Sequence, residues 1–191
     1  MLTNIEYMPN AEHEALRQRY LPQSIRVLFL GESPPASGTF FYAANSNLYR
    51  YTQRAFEEAY QRRWAAGAEF LTCFQSCGCY LDDLCLDPVN HMDAIARRRV
   101  RNASVPSLAD RLQQTTPMAV VSVMTATAAQ VNAAIARSGI NPLFLDYLPF
   151  PTFGNQHKYV QRLTFTLHKL RNMGILALAW YGSPDKTPGT T

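Results

Sequence analysis

Several signals are scarce or missing in this 191-residue chain, and each absence excludes something. The longest uninterrupted apolar run, Ile175 to Tyr181, is seven residues, whereas a membrane span needs about 20. No basic residue precedes an apolar stretch at the N-terminus, so no signal peptide is expected and the chain reads as cytoplasmic. Glycine (9) and proline (12) together stay at ordinary usage, which excludes collagen-like and low-complexity chains. Charged residues make up only 17% while aromatics reach 12%, a balance that excludes disorder and coiled coil. Cysteine is limited to Cys73, Cys77, Cys79 and Cys85. Their C-x3-C-x-C-x5-C spacing matches no zinc ribbon, ferredoxin run or redox pair. They read as small buried apolar groups near a helix-to-strand turn, with a metal site as the alternative.

What is present is an alternation of short β-rich runs with longer helical stretches. Strands are expected at Ile25–Leu30, Cys79–Cys85, Met118–Met124, Leu143–Tyr147 and Ile175–Trp180. Helices are expected over residues 11–20, 47–66, 69–76 and 155–172, with Ser107 and Asp110 as a capping box opening another that runs to Gln114. Thr125 and Thr127 are placed to cap a helix that Gly139 ends. The run Arg97–Arg101 reads as a connection or short helix. Apolar strands separated by helices predict a three-layer α/β/α sandwich around a mainly parallel sheet of four or five strands. One domain over residues 1–182 is expected, followed by a frayed tail over 183–191.

In such sheets ligands bind beyond the carboxyl ends of the strands. The loops Gly31–Tyr42, Leu86–Asn90, Thr125–Thr127 and Leu148–His157 should therefore converge on one edge. The first reads Gly31-Glu32-Ser33-Pro34-Pro35-Ala36-Ser37-Gly38-Thr39-Phe40-Phe41-Tyr42. Gly31 permits a sharp turn, the prolines stiffen the loop, and Glu32 stands where a carboxylate can face the cleft. Three consecutive aromatics offer a stacking face for a planar ligand; alternatively they plug the core while Glu32 accepts loop hydrogen bonds. A net charge of +4 permits a nucleic-acid partner without demanding one.

The Gly31-to-Pro34 turn resembles motif one of the uracil-DNA glycosylase superfamily, nearest to the Gly-Glu-Ala-Pro-Gly form of its iron–sulfur thermostable branch. Gly38-Thr39-Phe40-Phe41 stands where that branch has Gly-x-Pro-Phe, which makes Phe41 the stacking ring. Tyr80-Leu81-Asp82-Asp83-Leu84 is similar to the branch's base-reading Tyr-Ile-Thr-Asn-Val strand. Met118–Ala129 resembles its apolar strand and helix start, and Leu148-Pro149-Phe150-Pro151 lies where the family has His-Pro-Ser-Pro. The resemblance spans residues 25–172 and implies hydrolysis of a base–deoxyribose bond after the nucleotide leaves the stack.

Three departures bear on the chemistry. Leu148 replaces the histidine that steadies the leaving base, and one lost preorganised donor costs about 10²–10³ in rate. His157 is a candidate replacement, with Asn155 and Gln156 as other donors. Asp83 replaces an amide, and a carboxylate only accepts, so it favours bases presenting N–H groups; its other reading is a loop cap, and Asp82 is the alternative aligned residue. No cysteine precedes motif one, so neither a cluster nor any other cofactor or metal is expected.

The expected site is thus Glu32 and His157 as catalytic groups, and Ser33, Pro34, Phe40, Phe41 and Asp83 around the base. Thr125, Thr127, Asn155, Lys158 and Arg162 would lie along DNA phosphates. Arg97–Arg101 reads either as a clamp or as a solvated face. The expected function is a DNA glycosylase-like hydrolase acting on a damaged or deaminated base. The alternatives are an inactive glycosylase-fold protein that binds nucleic acid or a nucleobase, and an enzyme acting on a small nucleotide-like ligand.

Overall fold

The computed structural model describes residues 9–36, 38–65 and 67–177. Its elements run α1 (Pro9–Arg19), β1 (Val27–Gly31), α2 (Asn47–Tyr60), α3 (Ala68–Ser76), β2 (Cys79–Asp83), α4 (Ala94–Ala103) and α5 (Val105–Thr115). They continue with β3 (Ala119–Ser122), a 3-10 turn (Thr125–Thr127), α6 (Ala128–Ser138), β4 (Phe144–Tyr147) and α7 (Gln156–Asn172).

The four strands form one sheet in the order β2-β1-β3-β4, with every pair parallel. Parallel neighbours need crossovers, and the right-handed rule puts α2 and α3 on one face and α5 and α6 on the other. Side chains agree. Phe29 of β1 points at Phe56 of α2 and Phe74 of α3, with ring centroids 6.4 and 5.2 Å away. Its neighbours Leu28 and Leu30, on the opposite face of the strand, are equally buried. The chain returns after β4 to lay α7 on α2, where Thr52 and Tyr159 hydroxyls meet at 2.8 Å. Helices therefore flank the sheet on both sides, which explains why β1, β2 and β3 tolerate almost no exposed residue.

The edge at β2 is closed by a tyrosine. The Tyr42 hydroxyl donates to the Leu81 carbonyl at 3.0 Å and accepts from the Leu81 N–H at 2.7 Å. One side chain thus satisfies backbone groups that a bare edge would offer to another strand.

The four cysteines are buried and free. Three of them surround the α3–β2 turn, as expected for small apolar groups. Among the described residues, no group of three or more His, Cys, Asp or Glu is arranged to hold a metal. No helix there is long and apolar enough to cross a membrane.

Several expected boundaries shift for local reasons. The long helix stops at Tyr60 because Gln61 turns left-handed, at φ 50°. Ser107 and Asp110 do not open a helix. Pro106 stands in the first turn of α5, which begins at Val105, so both residues lie inside it. Arg97–Arg101 belongs to a short helix of ten residues, one of its two expected readings, capped by Asp93, whose carboxylate accepts from the Ile95 and Ala96 N–H groups at 2.8 Å each. Thr127 does not cap α6 with its side chain, since its hydroxyl donates backward to the Met124 carbonyl at 2.8 Å. Of the expected fifth strand, Ile175–Ala177 is not in the sheet; the Ile175 and Leu176 N–H groups close the end of α7 on the Leu170 carbonyl. Residues 178–180 and the expected tail lie outside the described residues.

Gly31 is dictated by a close approach. A Cβ at this position would stand 2.2 Å from Asp83 Oδ1, because the carboxylate lies over the Gly31 backbone. Gly31→Ala is expected to cost about 1–3 kcal/mol of stability by displacing that carboxylate, read as a lower urea midpoint.

Candidate functional site

The carboxyl ends of β1, β2 and β3 open into a cleft of about 660 Å³. Its walls come from the segments following β1, β3 and β4, and from Asn90 and Arg97 between β2 and α5. The loops stay in register through backbone bonds. Cys85 N–H donates to the Glu32 carbonyl at 2.8 Å, and Thr125 N–H donates to the Leu148 carbonyl at 3.1 Å. Ser33 Oγ accepts from Val89 N–H at 3.3 Å, and Asn90 Oδ1 accepts from Ala36 N–H at 3.3 Å. Convergence of these loops, expected from the sheet topology, is what the fold delivers.

Of the expected site residues, Glu32, Ser33, Pro34, Phe40, Phe41, Asp83, Thr125 and Asn155 line the cleft. Thr127 is fully buried behind the wall. His157 and Lys158 are exposed at the start of α7 and do not line the cleft, so the expected catalytic role of His157 finds no support in its position. Arg162 is on the α7 surface, paired with Asp146 at 2.9 Å. Leu148 itself is 0% exposed and serves the core.

Phe40 and Phe41 are each 3% exposed. Phe41 packs edge-on against Tyr42 and Tyr49, with centroids at 5.1 and 5.9 Å, so it is a core ring that shows only part of itself to the cleft. Phe40 is covered on one side by His13, stacked at 4.1 Å. The two rings therefore join the core and the cleft wall. The ring that stands free is Phe153, fully exposed on the cleft rim. It holds a left-handed backbone at φ 52°, strained for a bulky residue.

The carboxylates that the sequence places at the cleft floor are all answered by arginine. Arg97 and Arg101 both donate to Glu32, Arg97 Nε to Oε1 at 2.6 Å. Arg17 of α1 bridges Asp82, at 2.9 Å, and Asp83. Arg111 of α5 also grips Asp82 and donates to the Asp83 carbonyl at 3.0 Å. Burial pushes the Glu32 carboxyl up, but the hydrogen bonds from Arg97 and Arg101 outweigh it and hold the group below the ordinary glutamate range. Burial pushes the Asp83 carboxyl up to about 6, with Asp82 adding to the rise and Arg17 opposing it. Arg17 stays charged, since the two aspartates outweigh its own burial. Asp83 is thus committed to Arg17 rather than free to read a base. The amide of Asn155, which has no side-chain bond among the described residues, is the freer hydrogen-bonding group in the wall.

Residues 17, 50, 111 and 153 did not emerge as site candidates from the sequence, and Arg101 emerged only within the Arg97–Arg101 clamp. A signal existed for two of them: adjacent aspartates inside an apolar strand require cations, and arginines outside that strand must supply them.

No protein-family model matches the chain, and no curated protein matches it.

The depressed Glu32 value sets a pH dependence. In the acid window the unfolded chain binds the Glu32 proton first, so this group stabilises the fold above about pH 4.5 and that contribution fades as pH falls through the folded value. Urea melts between about pH 3 and about pH 6 should therefore show a shallower acid loss for Glu32→Gln than for the native chain.

Proposed function

We propose that the cleft binds a nucleobase-bearing ligand, a nucleotide unit of DNA in the first instance, on a sandwich of the uracil-DNA glycosylase type. A volume of about 660 Å³ suits a ligand of that size. Partly apolar walls at Phe40 and Phe41 meet neutral amides at Asn90 and Asn155, a combination suited to a planar ring with polar edges. Phe153 adds an exposed ring at the rim for a neighbouring base.

One observation favours binding over turnover. Glu32, the group that would polarise water or steady a cationic sugar, faces two guanidinium groups that cancel its field. Leu148 contributes no donor to a leaving base, and His157 lies away from the cleft. The second reading, hydrolysis of the N-glycosidic bond, is favoured by Glu32 lining the cleft itself, and requires the carboxylate to leave its arginines.

Fluorescence anisotropy with single-stranded oligodeoxynucleotides carrying uracil, hypoxanthine or xanthine tests the reading. Binding that weakens steeply with salt and leaves no abasic product is expected. Phe153→Ala should weaken it by about 1–3 kcal/mol without changing the melting temperature. A flat titration at high protein concentration would sink the proposal. Abasic product from the native chain but not from Glu32→Ala would establish the hydrolase instead.

A further inference from the structure

The helix α4 is attached in an unusual way. None of its ten residues is buried. Val100 leans on the core, and the remaining anchors are polar: the two arginines on Glu32, Arg101 to the Ala126 carbonyl at 3.4 Å, and Gln130 to Asn102 at 2.8 Å. The Glu32 side chain is therefore the main tie between this helix and the cleft floor.

That tie is unbalanced in charge. Two guanidinium groups share one carboxylate, which leaves one positive charge uncompensated at the wall. Arg97 carries it toward the ligand space: it lines the cleft, its side chain is 28% exposed, and its Nη1 donates to nothing among the described residues. Arg50 of α2 lines the same cleft and adds a second cation, whose side chain is engaged, among the described residues, with Asn47 alone. An arginine fork fits phosphate as well as it fits carboxylate, and phosphate brings enough charge and oxygens to satisfy both guanidinium groups.

We infer that Arg97 and Arg101 form a phosphate subsite occupied in the free protein by Glu32, and that a phosphate-bearing ligand takes the arginines while the Glu32 side chain swings into the cleft it already lines. This rests on the cleft being a nucleotide site, and it names the chemical class the site selects: a base carrying its phosphate. The exchange moves only a side chain, because the Glu32 carbonyl stays fixed by Cys85 N–H. A nucleobase without phosphate leaves the carboxylate on its arginines; a nucleotide displaces it.

Isothermal titration in a phosphate-free buffer tests the exchange, using inorganic phosphate, a deoxynucleoside 5′-monophosphate and the matching nucleoside. Glu32→Gln removes the internal competitor's charge and should tighten inorganic phosphate about 10-fold, whereas Arg97→Gln should weaken it about 10-fold or more. Unchanged or weaker phosphate binding in a cooperatively melting Glu32→Gln chain overturns the inference. Should that variant not melt cooperatively, Arg97→Gln decides: unchanged phosphate affinity overturns it, and loss upholds it. The nucleoside separates the two claims. Nucleoside binding with no phosphate effect in either variant leaves the base-binding reading standing and removes the exchange. The predicted phosphate effects without nucleoside binding do the reverse.

Discussion

Three carboxylates stand at the carboxyl ends of β1 and β2, where the sheet is covered on both faces, and such charges cannot be buried without cations. Four arginines supply them: Arg17 from α1, Arg97 and Arg101 from α4, and Arg111 from α5. Much of the molecule's arrangement at this end follows from that constraint. It pins α1 to the edge of the sheet and draws α4 over the cleft. It also explains a glycine at position 31, since the Asp83 carboxylate lies against that backbone. Breaking the Arg17–Asp83 pair, where both side chains are nearly buried, would expose the remaining charge to a cost of burial of about 3–5 kcal/mol.

The same pairing shapes the cleft's chemistry. A carboxylate alone at a cleft wall would be a base or an electrostatic stabiliser. Held between Arg97 and Arg101 it becomes a latch, and the wall shows a ligand positive charge instead. Asp83 undergoes the same conversion through Arg17, from a base-reading acceptor into part of a buried ion cluster. The side-chain groups left for a ligand include neutral amides, threonine hydroxyls and the donors of arginine.

The sequence carried the sheet well, because parallel strands covered on both faces are apolar throughout and their runs stand out between helices. Convergence of the loops followed from topology alone. Pairings between distant segments were not legible: nothing local in Ala94–Ala103 says that its arginines reach back 65 and 69 residues to Glu32. The aromatic run Phe40-Phe41-Tyr42 allowed two readings, and burial resolved it toward the core, with Tyr42 tied to the edge strand. Phe153 gave no periodic signal because it stands in a loop, at a backbone angle that composition does not foretell. The capping pair Ser107 and Asp110 misled because Asp93 and Pro106 set the nearby helix starts instead.

Glu32 is energetically bound to the arginines of α4 in the free protein. A double-mutant cycle joining Glu32→Gln with Arg101→Gln, read by urea unfolding near neutral pH, measures that bond directly. A coupling of about 1.5 kcal/mol or more is expected, as for a close and largely desolvated pair. Additive losses, with no coupling beyond experimental error, would contradict it.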